Sequence, residues 1–183
     1  MEPIFTIQYG EFAVADYLSK KIKDASVFIP ASSQEKGIDL LLYRHHHGCN
    51  TTNTIQVKMS RTYYSEAPSA AFPYYLWFNR FEIQDNANWY VLVGIYAKHP
   101  NDADSGVKST DWDTVMLAFT NKEMMKFMSE VKQKKDPTKD DLMFGFGFDE
   151  TKQIFQTRGY PIVRDMTHHL IENRLDEIRN SFT

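Results

Sequence analysis

Gly37-Ile38-Asp39-Leu40-Leu41-Leu42-Tyr43 and its companion Thr54-Ile55-Gln56-Val57-Lys58-Met59-Ser60 decide how this chain is read. Each is a short apolar run bounded by a polar segment, the pattern of neighbouring strands. Ile38 to Tyr43 is apolar almost throughout, which predicts a central strand. In Thr54 to Met59, period-two alternation puts Ile55 and Val57 on one face and Gln56, Lys58 and Ser60 on the other. The polar ends of Gln56 and Lys58 then project side by side, roughly 7 Å apart along the strand. Asp39 stands at the entrance of the preceding strand.

Outward from this pair the chain alternates helices and strands. Residues 10–23 predict a helix with Ala15, Leu18 and Ile22 on one stripe and Glu11 one turn ahead of Ala15, at the edge of the buried face. Val27-Phe28-Ile29 predicts a first strand ending at Pro30, and His45 to Asn53 a polar turn. The aromatic run Tyr74 to Phe81 fits strand or helix. Trp89 to Ala97 is a buried strand, residues 99–113 an exposed loop, and Val115, Leu117 and Phe119 a further strand. Thr120 and Glu123 form a capping box ahead of a helix with Met124, Phe127, Met128 and Val131 on its stripe. Leu142 to Phe148 predicts a late strand with its glycines on one side. A last helix, from about Met166, carries Ile171, Leu175, Ile178 and Phe182. The expected architecture is a single α/β domain over residues 1–183.

The composition is that of an ordinary globular chain: 183 residues, 42% hydrophobic and 25% charged. One cysteine, Cys49, rules out an intramolecular disulfide and fits a reducing compartment. The N-terminus shows no secretion signal, and no apolar stretch approaches the roughly 18 residues of a membrane span. A cytoplasmic protein without membrane contact is therefore expected. The net charge of −3 argues against strong non-specific polyanion binding. It leaves room for basic residues clustered on one face.

The residue types around the opening pair suit phosphodiester hydrolysis. That reaction needs charge neutralisation at the phosphate, an activated water and a stabilised leaving oxygen, and Mg²⁺ held by one or two carboxylates serves all three. Asp39 is the natural ligand because an apolar strand fixes it. Gln56 offers a neutral oxygen, with the Val57 backbone carbonyl beside it, and Glu11 offers a second carboxylate. Lys58 is placed to hold or deprotonate the attacking water. Ser60 shares the Gln56–Lys58 face. Arg61, Tyr63 and Tyr64 follow on the same strand as contacts for backbone phosphate or a base, or equally as rim and core residues.

Glu11 on a helix, Asp39 on a strand and Gln56-Val57-Lys58 on the next strand resemble the core of the PD-(D/E)xK, or restriction-endonuclease-like, nuclease superfamily. The likeness is to its Mrr-like and Holliday-junction-resolvase-like branch. It covers residues 8 to 62, and Trp89 to Tyr96 suits the next core strand. It implies a restriction-endonuclease-like mixed central sheet flanked by helices, with a nuclease core at about 8–97 and a C-terminal strand and helix elaboration at about 114–183. It also implies DNA cleavage with Mg²⁺ (or Mn²⁺) and often a homodimer; RNA as the target stays open. Ser33, or its neighbour Ser32, lies where resolvase-like members carry a serine near the metal. Two departures stand out. Gly37-Ile38 replaces the name-giving proline, and Gln56 replaces an acid, which removes a negative charge and weakens metal binding. Mrr-like members share that glutamine. The alternative is a nuclease-fold module with weak or no turnover that binds nucleic acid or a protein.

Other motifs read as structure. His45-His46-His47-Gly48-Cys49 has no second pair of ligands at zinc spacing and reads as a hairpin loop. His168 and His169 are expected on the surface, as are the lysine clusters at Lys20, Lys21 and Lys23 and at Lys126 to Lys135.

Overall fold

Two β-sheets sharing one long strand organise the chain in a computed structural model that describes residues 9–30, 36–67, 69–97, 112–139 and 141–183. In chain order the elements are α1 (Tyr9–Lys21), β1 (Ser26–Phe28), β2 (Leu40–His46), β3 (Cys49–Tyr64), β4 (Tyr74–Asn79), β5 (Trp89–Ala97) and β6 (Trp112–Thr120). There follow α2 (Asn121–Glu130), β7 (Met143–Phe148), β8 (Ile154–Arg158), β9 (Arg164–Asp165), a 3-10 turn at Thr167–His169 and α3 (Ile171–Asn180).

The first sheet is mixed. β1, β2 and β3 run antiparallel in succession, β5 lies parallel to β3 from Ile55↔Trp89 to Arg61↔Ile95, and β6 pairs antiparallel along β5. The second sheet is antiparallel. It begins with Thr62 to Tyr64 of β3 and continues through β4, β7, β8 and β9. The protein is thus α/β in the general sense. No helix among the described residues is long and apolar enough to cross a membrane.

Strand alternation divides the core in two. Ile55, Val57, Val91 and Val93 face α1 and α3, meeting Val14, Leu18, Ile171 and Ile178. Tyr90, Leu92, Leu117 and Phe119 face the opposite way, toward Phe127 of α2 and the rings Phe144, Phe146 and Phe148 of β7. The expected capping box closes the N-terminus of α2: Thr120 accepts from the Glu123 backbone, and Glu123 accepts from the Thr120 N–H. Burial pushes the Glu123 carboxyl up, but hydrogen bonds from Arg174 and Thr120 pull it below its ordinary value. Arg174 is itself buried, with its guanidinium 5.3 Å from the Trp89 ring centre.

Several boundaries differ from the sequence expectation. The polar segment 45–53 is no open turn: β2 and β3 pair to His46↔Cys49 around the two residues His47 and Gly48. Both have positive φ (50° and 77°), the geometry a two-residue hairpin turn of type I′ requires. Tyr74 to Asn79 resolves as a strand, because its inward residues Tyr74, Leu76 and Phe78 pack on β7. The last helix begins at Ile171 rather than near Met166, since Leu170 is extended and bridges to Leu117 of β6. His169 is buried, contrary to expectation. Its ring stacks on Phe119 at 4.0 Å, with Nδ1 3.2 Å from the Ala118 carbonyl oxygen. Burial, seconded by the charge of His168, pushes its pKa down to about 4. His168 is exposed, as expected.

Candidate metal centre and phosphate pocket

The β2–β3 ladder ends at Leu40↔Ile55, and Asp39 sits one residue beyond that last rung. Its N–H donates to the Ile55 carbonyl at 2.9 Å, and its Oδ2 accepts from the Val57 N–H at 2.7 Å. The carboxylate therefore occupies the place where a further residue of β2 would have continued the ladder. It lies in the plane of the sheet at the open edge of β3. The N–H and C=O of one strand residue point to the same edge, so the Val57 carbonyl also faces that opening.

Gly37 explains the placement of Asp39. It has φ of 87°, and a Cβ there would lie 2.5 Å from Gln84 Cβ. Only glycine lets the chain pass this close to the segment before β5 while in the left-handed region. The Asn86 side chain donates to the Lys36 carbonyl at 2.8 Å and holds the same turn.

Asp39 is half-buried. Burial raises its carboxyl above the ordinary value, against the smaller opposing pull of the Val57 hydrogen bond and of the Lys58 charge. Lys58 is half-buried and makes no hydrogen bond or ion pair among the described residues. Gln56 is only 4% exposed, and its Oε1 has no hydrogen-bond partner among those residues. Leaving such an acceptor unmade in the interior costs about 1–3 kcal/mol. Its register neighbour is Tyr90, and that of Lys58 is Leu92, so both side chains lie on the α2 side of the sheet.

Asp39, Val57 and Lys58 are thus brought together, with Gln56 beside them. Glu11, in the first turn of α1, is half-buried on the opposite face: α1 packs over Val57 and Met59, close enough that a Cβ on Gly10 would touch Met59 Cβ at 3.0 Å. Among the described residues no group of three or more His, Cys, Asp or Glu converges. The set brought together has one carboxylate, Asp39, with Gln56 and a carbonyl as neutral donors. An oxygen-only set of this kind fits a hard cation such as Mg²⁺, and the unpartnered Gln56 Oε1 is an acceptor available to one.

Beside Lys58 opens a pocket of about 380 Å³ whose lining includes Lys58, Ser60, Arg61, Trp77, Asn79 and Arg80. Arg61 is exposed and unpaired among the described residues. Arg80 has φ of 52°, and its backbone N–H donates to buried Asp141 at 3.1 Å. Its guanidinium is mostly exposed, 3.7 Å from the same carboxylate. The Ser60 hydroxyl donates to the Trp77 carbonyl at 2.5 Å, so it ties β3 to β4 while lining the pocket. Ser33 lies outside the described residues. Arg80 escaped the sequence reading because it reaches the pocket from just past β4, where nothing local distinguishes it, while the aromatic run that holds Trp77 reads as core rather than as a nucleic-acid platform. The one available signal was the alternation that puts Trp77 out of phase with Leu76 and Phe78.

Neither a family of known proteins, nor a curated protein, nor a solved structure matches this chain.

Proposed function

We propose that this chain is a metal-dependent endonuclease of the PD-(D/E)xK, restriction-endonuclease-like type, acting on DNA. The observation that carries the reading is the buried, unpartnered Gln56 Oε1 beside the Asp39–Val57 latch and the unpaired Lys58. A fold that leaves a buried acceptor unsatisfied bears a cost that a bound cation would offset, and Lys58 stands ready beside it for a phosphate. The reading is supported by the order of α1, β1, β2 and β3, with β5 parallel beside β3.

Asp39, Gln56 and the Val57 carbonyl would hold Mg²⁺ or Mn²⁺; Glu11, on the face covered by α1, stands outside this set. When bound, the ion neutralises the phosphate and lowers the pKa of a water. Lys58 orients that water toward phosphorus and offsets the charge that grows on the phosphoryl oxygens. Arg61 and Arg80 grip the neighbouring backbone. A P–O bond forms to the water oxygen, the P–O bond to a sugar oxygen breaks, and that oxygen takes up a proton. The test compares wild type with Asp39→Ala and Lys58→Ala on plasmid, branched and single-stranded DNA, and on RNA, with Mg²⁺ or Mn²⁺. Equal cleavage by all three proteins would sink the reading.

The missing acid at Gln56 favours a second reading, a module of this fold that binds without turnover. Calorimetric titration with Mn²⁺ separates the two. Saturable binding lost in Asp39→Ala speaks for the nuclease.

A further inference from the structure

The outer face of the second sheet carries a second concavity, of about 650 Å³, whose walls include Tyr63, Tyr64, Phe72, Tyr75, Trp77 and Arg158. We propose that it receives an unpaired base of single-stranded nucleic acid and so directs the neighbouring phosphate to the Lys58 pocket. The inference rests on the reading of the chain as a nucleic-acid enzyme and names the substrate class of that same site.

Three observations support it. The first is a preformed stack. Tyr63 lies on Trp77 with ring centres 4.7 Å apart and planes at 22°, and the Arg158 guanidinium sits 4.3 Å from the Trp77 ring centre. Tyr63 is nonetheless 48% exposed. The floor is built to hold this stack flat, since a Cβ on Gly145 of β7 would come within 2.3 Å of Trp77 Cδ1. Aromatic faces flanked by arginine are the usual platform for single-stranded bases.

The second is charge. Arg158 and Arg61 have no carboxylate partner among the described residues, and Arg61 shares a strand face with Tyr63, two residues on. Rings bordered by unpaired cations match a base attached to a phosphate. Val163, 59% exposed, adds an apolar side chain to the same lining.

The third is continuity. Tyr63 and Trp77 line both this concavity and the Lys58 pocket. A base seated in one therefore places its own backbone over the other. Bases inside a duplex are stacked on each other and cannot enter, so the pocket selects unpaired nucleotides.

The experiment measures anisotropy of labelled oligonucleotides with full-length Asp39→Asn, chosen so that cutting does not consume the probe. It compares single-stranded, duplex and abasic single-stranded DNA, with and without a second substitution, Tyr63→Ala or Tyr63→Trp. The expected result is a single-strand preference that falls by about 5- to 150-fold, the range for losing one stacked base, in Tyr63→Ala and on abasic DNA. Tyr63→Trp retains it. Equal affinity for single strand and duplex, or a preference indifferent to Tyr63 and to the bases, overturns the proposal, as does absence of nucleic-acid binding. The two readings fail separately. Cleavage by wild type without Tyr63 dependence removes the base pocket and leaves the nuclease. Tyr63-dependent binding without cleavage by wild type removes the nuclease and leaves the base pocket.

Discussion

Replacing Asp39 by asparagine or by alanine separates its two roles. As an acceptor, its Oδ2 holds the Val57 N–H at 2.7 Å past the end of the β2–β3 ladder. Alanine leaves that N–H without a partner, at about 1–3 kcal/mol. For a chain of this size each kcal/mol shifts Tm by about 2–4 °C, so Asp39→Ala should melt several degrees lower. Asparagine keeps an oxygen in the same place. It loses the attraction to Lys58, which is small at a half-exposed site, and it removes a carboxylate that burial disfavours in its charged form. Because the folded pKa of Asp39 is raised, the fold binds its proton more tightly than the unfolded chain does. Wild-type stability therefore falls relative to Asp39→Asn as pH rises past about 3.8, and the deficit persists at neutral pH. Asp39→Asn should match wild type within about 0.5 kcal/mol at neutral pH, a surface-like effect. Mn²⁺ reverses the order: at a hundredfold excess over Kd it stabilises wild type by about 2.7 kcal/mol and neither variant. Thermal melts from pH 4 to 8, with and without Mn²⁺, measure all of this. Asparagine as damaging as alanine would refute the acceptor role, and equal Mn²⁺ shifts in all three proteins would refute the metal role.

Gln56→Leu should stabilise the metal-free protein by about 1 kcal/mol, because it removes a buried acceptor without a partner, while abolishing cleavage; a drop in urea midpoint would show that Oε1 is satisfied. Gly37→Ala should lower stability by about 2 kcal/mol, from the left-handed φ and the approach to Gln84, and should reduce cleavage by displacing Asp39; unchanged melting and activity would refute the brace. His169, buried with a pKa of about 4 against the ordinary 6.5, binds a proton more readily when unfolded. Its neutral form stabilises the fold at neutral pH, and that stability is lost as pH falls from about 6.5 through about 4, by about 3 kcal/mol. His169→Phe, which keeps a ring on Phe119, should flatten that slope in acid titrations followed by circular dichroism; an unaltered slope would place the acid sensitivity elsewhere.

The elements that carry the candidate site were legible because their patterns are local. α1 shows its stripe, β5 its unbroken apolar run, and α2 the Thr120–Glu123 box. Alternation in β3 correctly separated Gln56 and Lys58 from Ile55 and Val57. The hairpin at His47 and Gly48 read as a loop because polar residues conceal a ribbon that extends past the core. The strands β8 and β9 are too short and too polar to announce themselves, so the second sheet was not foreseen. His169 read as surface because the Phe119 ring that buries it lies far away in sequence.

The sequence by itself determined the strand pair, the phase of Gln56 and Lys58, and the place of Glu11 at the start of a helix, since each follows from the two- or 3.6-residue repeat of the backbone. Only the tertiary structure decided that Asp39 stops the β2 ladder and turns its carboxylate to Val57. It alone left Gln56 Oε1 buried without a partner among the described residues, and it alone brought Trp77 beside Arg80 in one opening and beside Arg158 in the next. Those facts depend on where β3 parts from β2 and joins β4. Pairing between distant segments is fixed by packing across the whole core, and no local pattern encodes it.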